Sequence, residues 1–202
     1  MPTGIISSVA SVGGLSIQTI TTRTAVGQIG HEVSLPAADA GSLTTRTNDT
    51  DGELTMDSGE HGISSSDKID IYWDGGVAYE ATVGTVSGTA VPFTGAHGDV
   101  LPTQDTDVAA DVLVPLDTDF DGDLLEMIAM ASTKRGHYLF DDSGTAELAA
   151  GELTANEPWT WVADTGVSNP LTGNPVDDLY VSNGDATAAA TLKIGLIYNS
   201  DE

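Results

Sequence analysis

The 202-residue sequence has no cysteine and contains only six lysine and arginine residues. Without cysteine the chain can form neither disulfides nor Fe–S clusters nor Cys-ligated zinc sites. Its 31 acidic residues leave a formal net charge of −25, whereas binding to nucleic acid needs a face rich in lysine and arginine. The composition therefore excludes thiol chemistry and argues against a nucleic-acid partner.

Long apolar runs are missing as well. No run reaches the roughly 18 residues of a membrane-spanning helix, and residues 1–15 lack the basic stretch that opens a secretory signal. We therefore expect no membrane partner. Hydrophobic residues still make up 40% of the chain, which is too many for a chain that its charge keeps disordered. The sequence predicts a globular protein of one large or two small domains.

The abundant residue types favour strands and turns. Asp outnumbers Glu by 22 to nine, and Asp is a turn and cap residue rather than a helix former. Threonine, valine and isoleucine, which suit pleated and half-buried surfaces, recur between glycine-containing turns. We predict an all-β protein, with a small N-terminal β-barrel or meander over residues 15–115. A C-terminal β-sandwich or jelly-roll-like domain is predicted over residues 116–202.

The first 14 residues form a separate segment that is small, uncharged and rich in glycine and serine. Such a segment buries little surface by itself, so we predict a flexible N-terminal arm. Two interpretations of the arm stay open: it is simply disordered, or it docks on a neighbouring subunit.

The clearest strand pattern lies in the sequence KIDIYW at residues 68–73. It alternates between one face with Ile69 and Ile71 and another face with Asp70 and Tyr72. The sequence DGG follows and predicts a hairpin turn into a second strand, VAYEATV.

The run LLEMIAMAS at residues 124–132 is ambiguous. Its leucine, methionine, alanine and glutamate are good helix formers, but a short apolar run is equally consistent with a fully buried strand. We favour the strand because the surrounding segments are predicted to be β.

One acidic segment resembles part of a metal-binding loop. The sequence DTDFDGD starts at Asp117 and places carboxylates on alternate residues before a glycine, as in the first half of a calcium loop. The twelfth position is Ile128, where that loop needs a bidentate glutamate. Two interpretations remain: a solvated linker between domains, or a Ca²⁺ site of another kind with the ligands Asp117, Asp119, Asp121 and Asp123. No other cofactor is predicted.

No pattern of catalytic residues stands out. The four histidines each lie beside glycine or in a loop-like context and lack metal-ligand spacing, so we interpret them as unconnected surface or turn residues: His31, His61, His97 and His137. Neither a G-x-S-x-G nucleophile motif nor a phosphate-binding glycine loop occurs. With 31 acids in the chain, no single carboxylate pair is informative. We therefore expect that the protein is not an enzyme.

The three tryptophans, Trp73, Trp159 and Trp161, allow two interpretations. They could form a platform on which sugars stack, or they could fill the cores of β-domains. Core filling is the commoner role of such residues in β-proteins, and we favour it here.

Several short phrases resemble uncharacterised structural proteins of tailed phages and prophages. They are GELT at 52–55, DKIDIYW at 67–73, DVLP at 99–102, VSNG at 181–184 and AAATLKIGLIY at 188–198. The resemblance implies a virion component, foremost a capsid decoration (cement) protein that binds the exterior of the head. It implies the major capsid protein or other virion proteins as partners, a homo-oligomer such as a trimer, and synthesis in the host cytoplasm before incorporation.

Two other functions remain open at the level of the sequence. The first is a tail-associated adhesin that binds a host surface or glycan through its aromatic residues and the Asp117–Asp123 segment. The second is a tail-tube or connector protein that stacks in rings. All three hypotheses describe a passive β-protein that acts through its surfaces.

Overall fold

The protein is built almost entirely of β-strands, as its composition predicts. The computed structural model describes the backbone of residues 3–12, 15–24, 26–141, 147–163, 166–171 and 175–199. Within these ranges it describes the side chains of residues 30–116, 122–141, 150–163, 166–171, 176 and 178–199. In the described ranges the sole helical element is a 3₁₀ turn at Gly122–Leu124. No helix in these ranges is long and apolar enough to cross a membrane.

Seventeen strands occur in the described ranges. The first three are β1 (Thr3–Val12), β2 (Leu15–Thr24) and β3 (Val26–Leu35). The next seven are β4 (Asp39–Arg46), β5 (Gly52–Met56), β6 (Lys68–Trp73), β7 (Gly76–Val83), β8 (Ala90–Thr94), β9 (His97–Gly98) and β10 (Asp107–Val112). The last seven are β11 (Val114–Asp121), β12 (Leu125–Ser132), β13 (Gly136–Asp141), β14 (Glu147–Leu153), β15 (Trp159–Val162), β16 (Pro175–Asn183) and β17 (Ala190–Asn199).

Strands β4 to β10 form a small barrel. Six of them close into a ring in the order β6-β10-β4-β5-β8-β7 and back to β6, while β9 pairs with β7 outside the ring. The predicted hairpin is confirmed, because β6 and β7 pair in antiparallel fashion around the DGG turn. Ile69 and Ile71 are fully buried in the barrel core. Ring closure removes the unpaired edges that an open sheet would leave.

Strand β3 and strands β11 to β17 form a sandwich. Its sheets have the orders β11-β16-β13-β14 and β15-β12-β17-β3. Both sheets contribute to one apolar core, with Val181 from the first sheet and Ile128 and Leu196 from the second all fully buried. The ambiguous run is a strand from Leu125 onward, as favoured above, and its residues Leu125, Ile128 and Met130 lie in this core.

The barrel is inserted into the sandwich. The chain leaves the sandwich after β3, completes the barrel, and returns at Leu113, which separates β10 from β11. The two ends of the insertion lie side by side, because Asp39 and Ala110 are partners in the β4–β10 pair. Adjacent ends are the geometry that lets one domain be inserted into another without disturbing its fold.

Two expectations about the N-terminal part need correction. Residues 26–35 do not belong to the barrel predicted for 15–115, because β3 pairs with β17 along its whole length. Residues 3–12 are not an arm without regular structure, because β1 pairs residue for residue with β2. The sequence between β1 and β2 is Gly-Gly, which favours a two-residue hairpin between β-formers.

The close packing of the barrel leads to a first prediction, at Gly52 on β5. A Cβ atom there would lie 2.5 Å from the carbonyl oxygen of Thr45 and 3.2 Å from the Phe93 ring. Gly52→Ala should therefore lower the free energy of unfolding by about 1–3 kcal/mol, since neighbouring backbone must move. Gly59→Ala is the matched control, because a Cβ there meets nothing within 4 Å. Thermal melts in which both variants match the parent chain would contradict this packing.

Candidate functional site

Buried polar side chains gather where the barrel meets the sandwich. We call them the junction cluster: Asp70, Tyr72 and Asp111 from the barrel, and His137, Ser182 and Asn183 from the sandwich. Each is at most 9% exposed. Burying a polar or charged group is costly unless it is hydrogen-bonded, so the partners of these groups determine what the cluster does.

The carboxylate of Asp70 is the centre of the cluster. Its Oδ1 accepts a hydrogen bond from the Glu80 backbone N–H at 2.9 Å. Its Oδ2 accepts one from the Ser182 hydroxyl at 2.5 Å and lies 3.1 Å from His137 Nδ1. A fully buried carboxylate is thus bonded by one donor within the barrel and by two side chains from the sandwich.

Tyr72 and His137 complete the contact between the two units. The Tyr72 hydroxyl lies 2.6 Å from Ser182 Oγ. Burial, reinforced by the nearby Asp70 charge, holds the pKa of Tyr72 well above its usual value. The His137 ring stacks on Tyr79 of β7 with centroids 4.5 Å apart. The units are joined by a mixture of hydrogen bonds and ring contacts.

The cluster contains the residue types of a serine-hydrolase triad in a different order. In such a triad the imidazole accepts the serine proton and the carboxylate orients the imidazole. Here Asp70 lies between Ser182 and His137, and the buried His137 Nε2 has no hydrogen-bond partner among the described residues. The serine is therefore bonded to a carboxylate and a phenol rather than to an imidazole. This order differs from that of a triad and connects the two units.

Asn183 holds the two places where the chain crosses between the units. Its side-chain Nδ2 donates to the Pro36 carbonyl at 2.6 Å, in the segment that leads into the barrel. Its backbone N–H donates to Asp111 Oδ2 at 2.6 Å, two residues before the chain leaves the barrel at Leu113. One sandwich residue is thereby bonded to both crossings.

An open cleft of about 770 Å³ lies beside the cluster, between the barrel and the turns of the sandwich. It contains Lys134 and Arg135, two of the six cations of the chain. Both cations have partners: Lys134 Nζ lies 2.8 Å from Asp185, and Arg135 bonds Glu152 and the Trp73 carbonyl. Arg135 therefore bonds across the junction, whereas the Lys134–Asp185 pair lies within the sandwich.

The predicted calcium ligands divide between described and undescribed side chains. Asp117, Asp119 and Asp121 belong to strand β11 by their backbone, but their side chains lie outside the described residues. Asp123 is exposed on the 3₁₀ turn that follows. Among the described side chains no group of three or more acidic residues and histidines could hold a metal ion. The Ca²⁺ site therefore stays a prediction.

The interpretation of the histidines as unconnected surface or turn residues is wrong for two of the four. His137 is 1% exposed on β13 and lies in the junction cluster. His61 is 5% exposed, and its two ring nitrogens bond the Gly88 carbonyl and the Ile63 N–H. Neighbouring glycines suggested turns, but burial depends on which distant strands cover a residue. His31 lies on β3, and His97 is exposed on β9.

The tryptophans fill cores, as favoured above. Trp73 packs against the barrel core, whereas Trp161 is buried in the sandwich core and Trp159 packs against it. The Trp161 indole N–H donates to the Val167 carbonyl at 3.2 Å. The three rings belong to two separate cores and do not form one platform.

Sequence reasoning missed the junction cluster itself. The alternation of β6 placed Asp70 and Tyr72 on the face opposite the barrel core, which a lone barrel would expose to water. The sandwich covers that face, so both sides of β6 are buried. The tyrosine on this face was the one available signal. A tyrosine can be buried when its hydroxyl has a hydrogen-bond partner, so its presence was consistent with a covered face.

Comparisons with protein-family models, with curated proteins and with solved structures each give no match for this chain.

The hydrogen bond between Tyr72 and Ser182 leads to a second prediction. Tyr72→Phe and Ser182→Ala should each lower the free energy of unfolding, because each leaves a buried hydroxyl short of a partner. The double variant should lose less than the sum of the two, by about 0.5–1.5 kcal/mol of coupling. Chemical denaturation of the four proteins measures this cycle. Tyr72→Phe with Thr160→Ala, on β15 of the opposite sheet, is the control and should be additive.

Asp111 leads to a third prediction. Burial raises the pKa of Asp111 from 3.8 to about 6, although the Asn183 N–H bond acts in the opposite direction. The folded chain therefore keeps this proton at a pH where the unfolded chain has lost it. The contribution of Asp111 to stability is greatest below pH 4 and falls as the pH rises through 6.

The comparison that measures this effect is between the parent chain and Asp111→Asn, which cannot ionise. Their difference in free energy of unfolding, parent minus variant, should fall by about 2–3 kcal/mol between pH 4 and 7. Other carboxylates are common to both proteins and cancel. Thr160→Ala, which changes no titratable group, should give a difference that is independent of pH. Parallel curves for parent and Asp111→Asn would refute the assignment.

Proposed function

We propose that this chain is a structural protein of a tailed-phage virion, and that it decorates the exterior of the capsid. It acts through the surfaces that a stiff β-body offers to other virion proteins. The body consists of the barrel and the sandwich, which the junction cluster holds in one orientation.

One observation carries the proposal. Two of the phrases that resemble phage structural proteins, DKIDIYW and VSNG, lie more than 100 residues apart in the sequence. They meet in the junction cluster, where Asp70 and Tyr72 of the first bond Ser182 of the second. The residues that resemble phage structural proteins therefore include those that fix the barrel against the sandwich. This location supports the proposal, because a structural protein acts through the shape of its body.

The charge of the chain is consistent with this role. A net charge of −25 disfavours contact between the acidic surfaces of free copies before they are incorporated into a particle. A tail-tube or adhesin role shares this property, so the experiment must distinguish the head from the tail.

The test locates the chain in particles of the phage or prophage that encodes it. A short epitope inserted after Gly59 lies in an exposed turn of the barrel, where a side chain meets no neighbour. Immunogold electron microscopy should then label the surface of the head, with untagged particles as the control. Label confined to the tail would refute decoration, and the absence of label from intact particles would refute a virion role altogether.

A second measurement uses the same phage without the gene for this chain. Heads that lack a decoration protein should release their DNA at a lower temperature than complete heads, because exterior contacts between capsid subunits are lost. Supplying the purified chain should restore the higher temperature. Equal release temperatures with and without the chain would contradict a cementing role.

A further inference from the structure

The charge of the chain is distributed very unevenly. Residues 1–35 contain one acidic residue, Glu32, and one arginine, Arg23. The remaining 30 acidic and five basic residues, and with them the whole net charge of −25, lie in residues 36–202. Even Glu32 has a basic neighbour, since its carboxylate lies 3.5 Å from Lys193 Nζ on β17. The first three strands are therefore neutral, whereas the rest of the body is strongly acidic.

The neutral part of the chain contains three consecutive strands, β1, β2 and β3, which we call the N-terminal ribbon. Strands β1 and β2 pair with each other and with no other strand in the described part of the chain. One residue separates β2 from β3, and β3 is the outer strand of its sandwich sheet. A hairpin of two ten-residue strands, each about 30 Å long, is thus followed after one residue by a ten-residue edge strand.

The ribbon lacks the features that usually protect exposed strands. Natural sheet edges are blocked by proline, by lysine or by β-bulges. Strands β1 to β3 contain neither proline nor lysine, and their registers run without a shift. Elsewhere five strand pairs contain a bulge or irregularity. A two-stranded hairpin is marginally stable in water by itself, so a further strand that paired with it would stabilise it.

The charge distribution favours a second copy of this chain as the source of that strand. Two copies that approach through their bodies bring together surfaces of the same strong charge, which repel each other. Two copies that approach through their ribbons meet no net charge. A basic partner protein, in contrast, would be attracted to the acidic body rather than to the ribbon.

We propose that the N-terminal ribbon is the self-association surface of the protein, and that its strands pair edge to edge with the ribbon of a second copy. Strand pairing satisfies the backbone groups along the unpaired edges and stabilises the hairpin. The inference deepens the proposed function by identifying the contact between copies. The test uses the isolated chain, so its outcome is independent of where the protein lies in a particle.

The experiment measures the mass of the purified chain by light scattering and sedimentation. The parent chain should be an oligomer, and deletion of residues 1–24 should lower the mass at least two-fold while the melting temperature of the body is retained. The deletion ends before β3, so the sandwich sheet keeps all its strands.

A charge variant tests the reason for the association. Ser8→Asp with Thr22→Asp adds two charges to the ribbon at positions that are not register partners, since Ser8 pairs with Thr19 and Thr22 with Ile5. This variant should dissociate at low salt and associate again in about 1 M salt, where the Debye length falls to about 3 Å. Ser8→Asn with Thr22→Asn is the matched neutral control and should remain oligomeric.

Each alternative result overturns the proposal. A parent chain that is monomeric at every salt concentration would exclude self-association. An oligomer that survives both the deletion and the aspartates would exclude the β1–β2 hairpin as the contact between copies. A monomer whose deletion variant no longer binds capsids would assign the ribbon to another virion protein.

Discussion

The structure depends on a carboxylate that water does not reach. An unpaired buried charge would cost several kcal/mol, so Asp70 is stable only while the Glu80 N–H, Ser182 and His137 remain in place. Two of these three partners belong to the other unit. Any rotation of the barrel against the sandwich would break these bonds without water to replace them, and for this reason the two units behave as one body.

The insertion of the barrel explains why a single cluster is enough to fix it. An inserted domain is tied to its host at two adjacent points, here the segment after β3 and Leu113. Asn183 bonds at the first point and beside the second, so it restrains both connections at once. The arrangement needs no large apolar interface, since the chain already holds the units together and the hydrogen bonds only set the angle.

Local patterns predicted the strands, but they could not predict the sheets. The alternation KIDIYW and the DGG turn gave the β6–β7 hairpin, because both strands and the turn lie within 16 residues. The pairing of β3 with β17 joins Val26 to Asn199, and no periodicity in either segment identifies its partner. Residues 26–35 were therefore assigned to the wrong unit. The junction cluster was missed for the same reason, since Asp70 looks exposed until the sandwich is placed over it.

The pairing of β3 with β17 also sets the route that a mechanical load takes through the molecule. Val26 and Asn199 are register partners at one end of this strand pair. Tension between those two residues acts first on the hydrogen bonds that join them. The barrel lies between them in sequence but outside this route, so it is shielded from the load until the sheet opens.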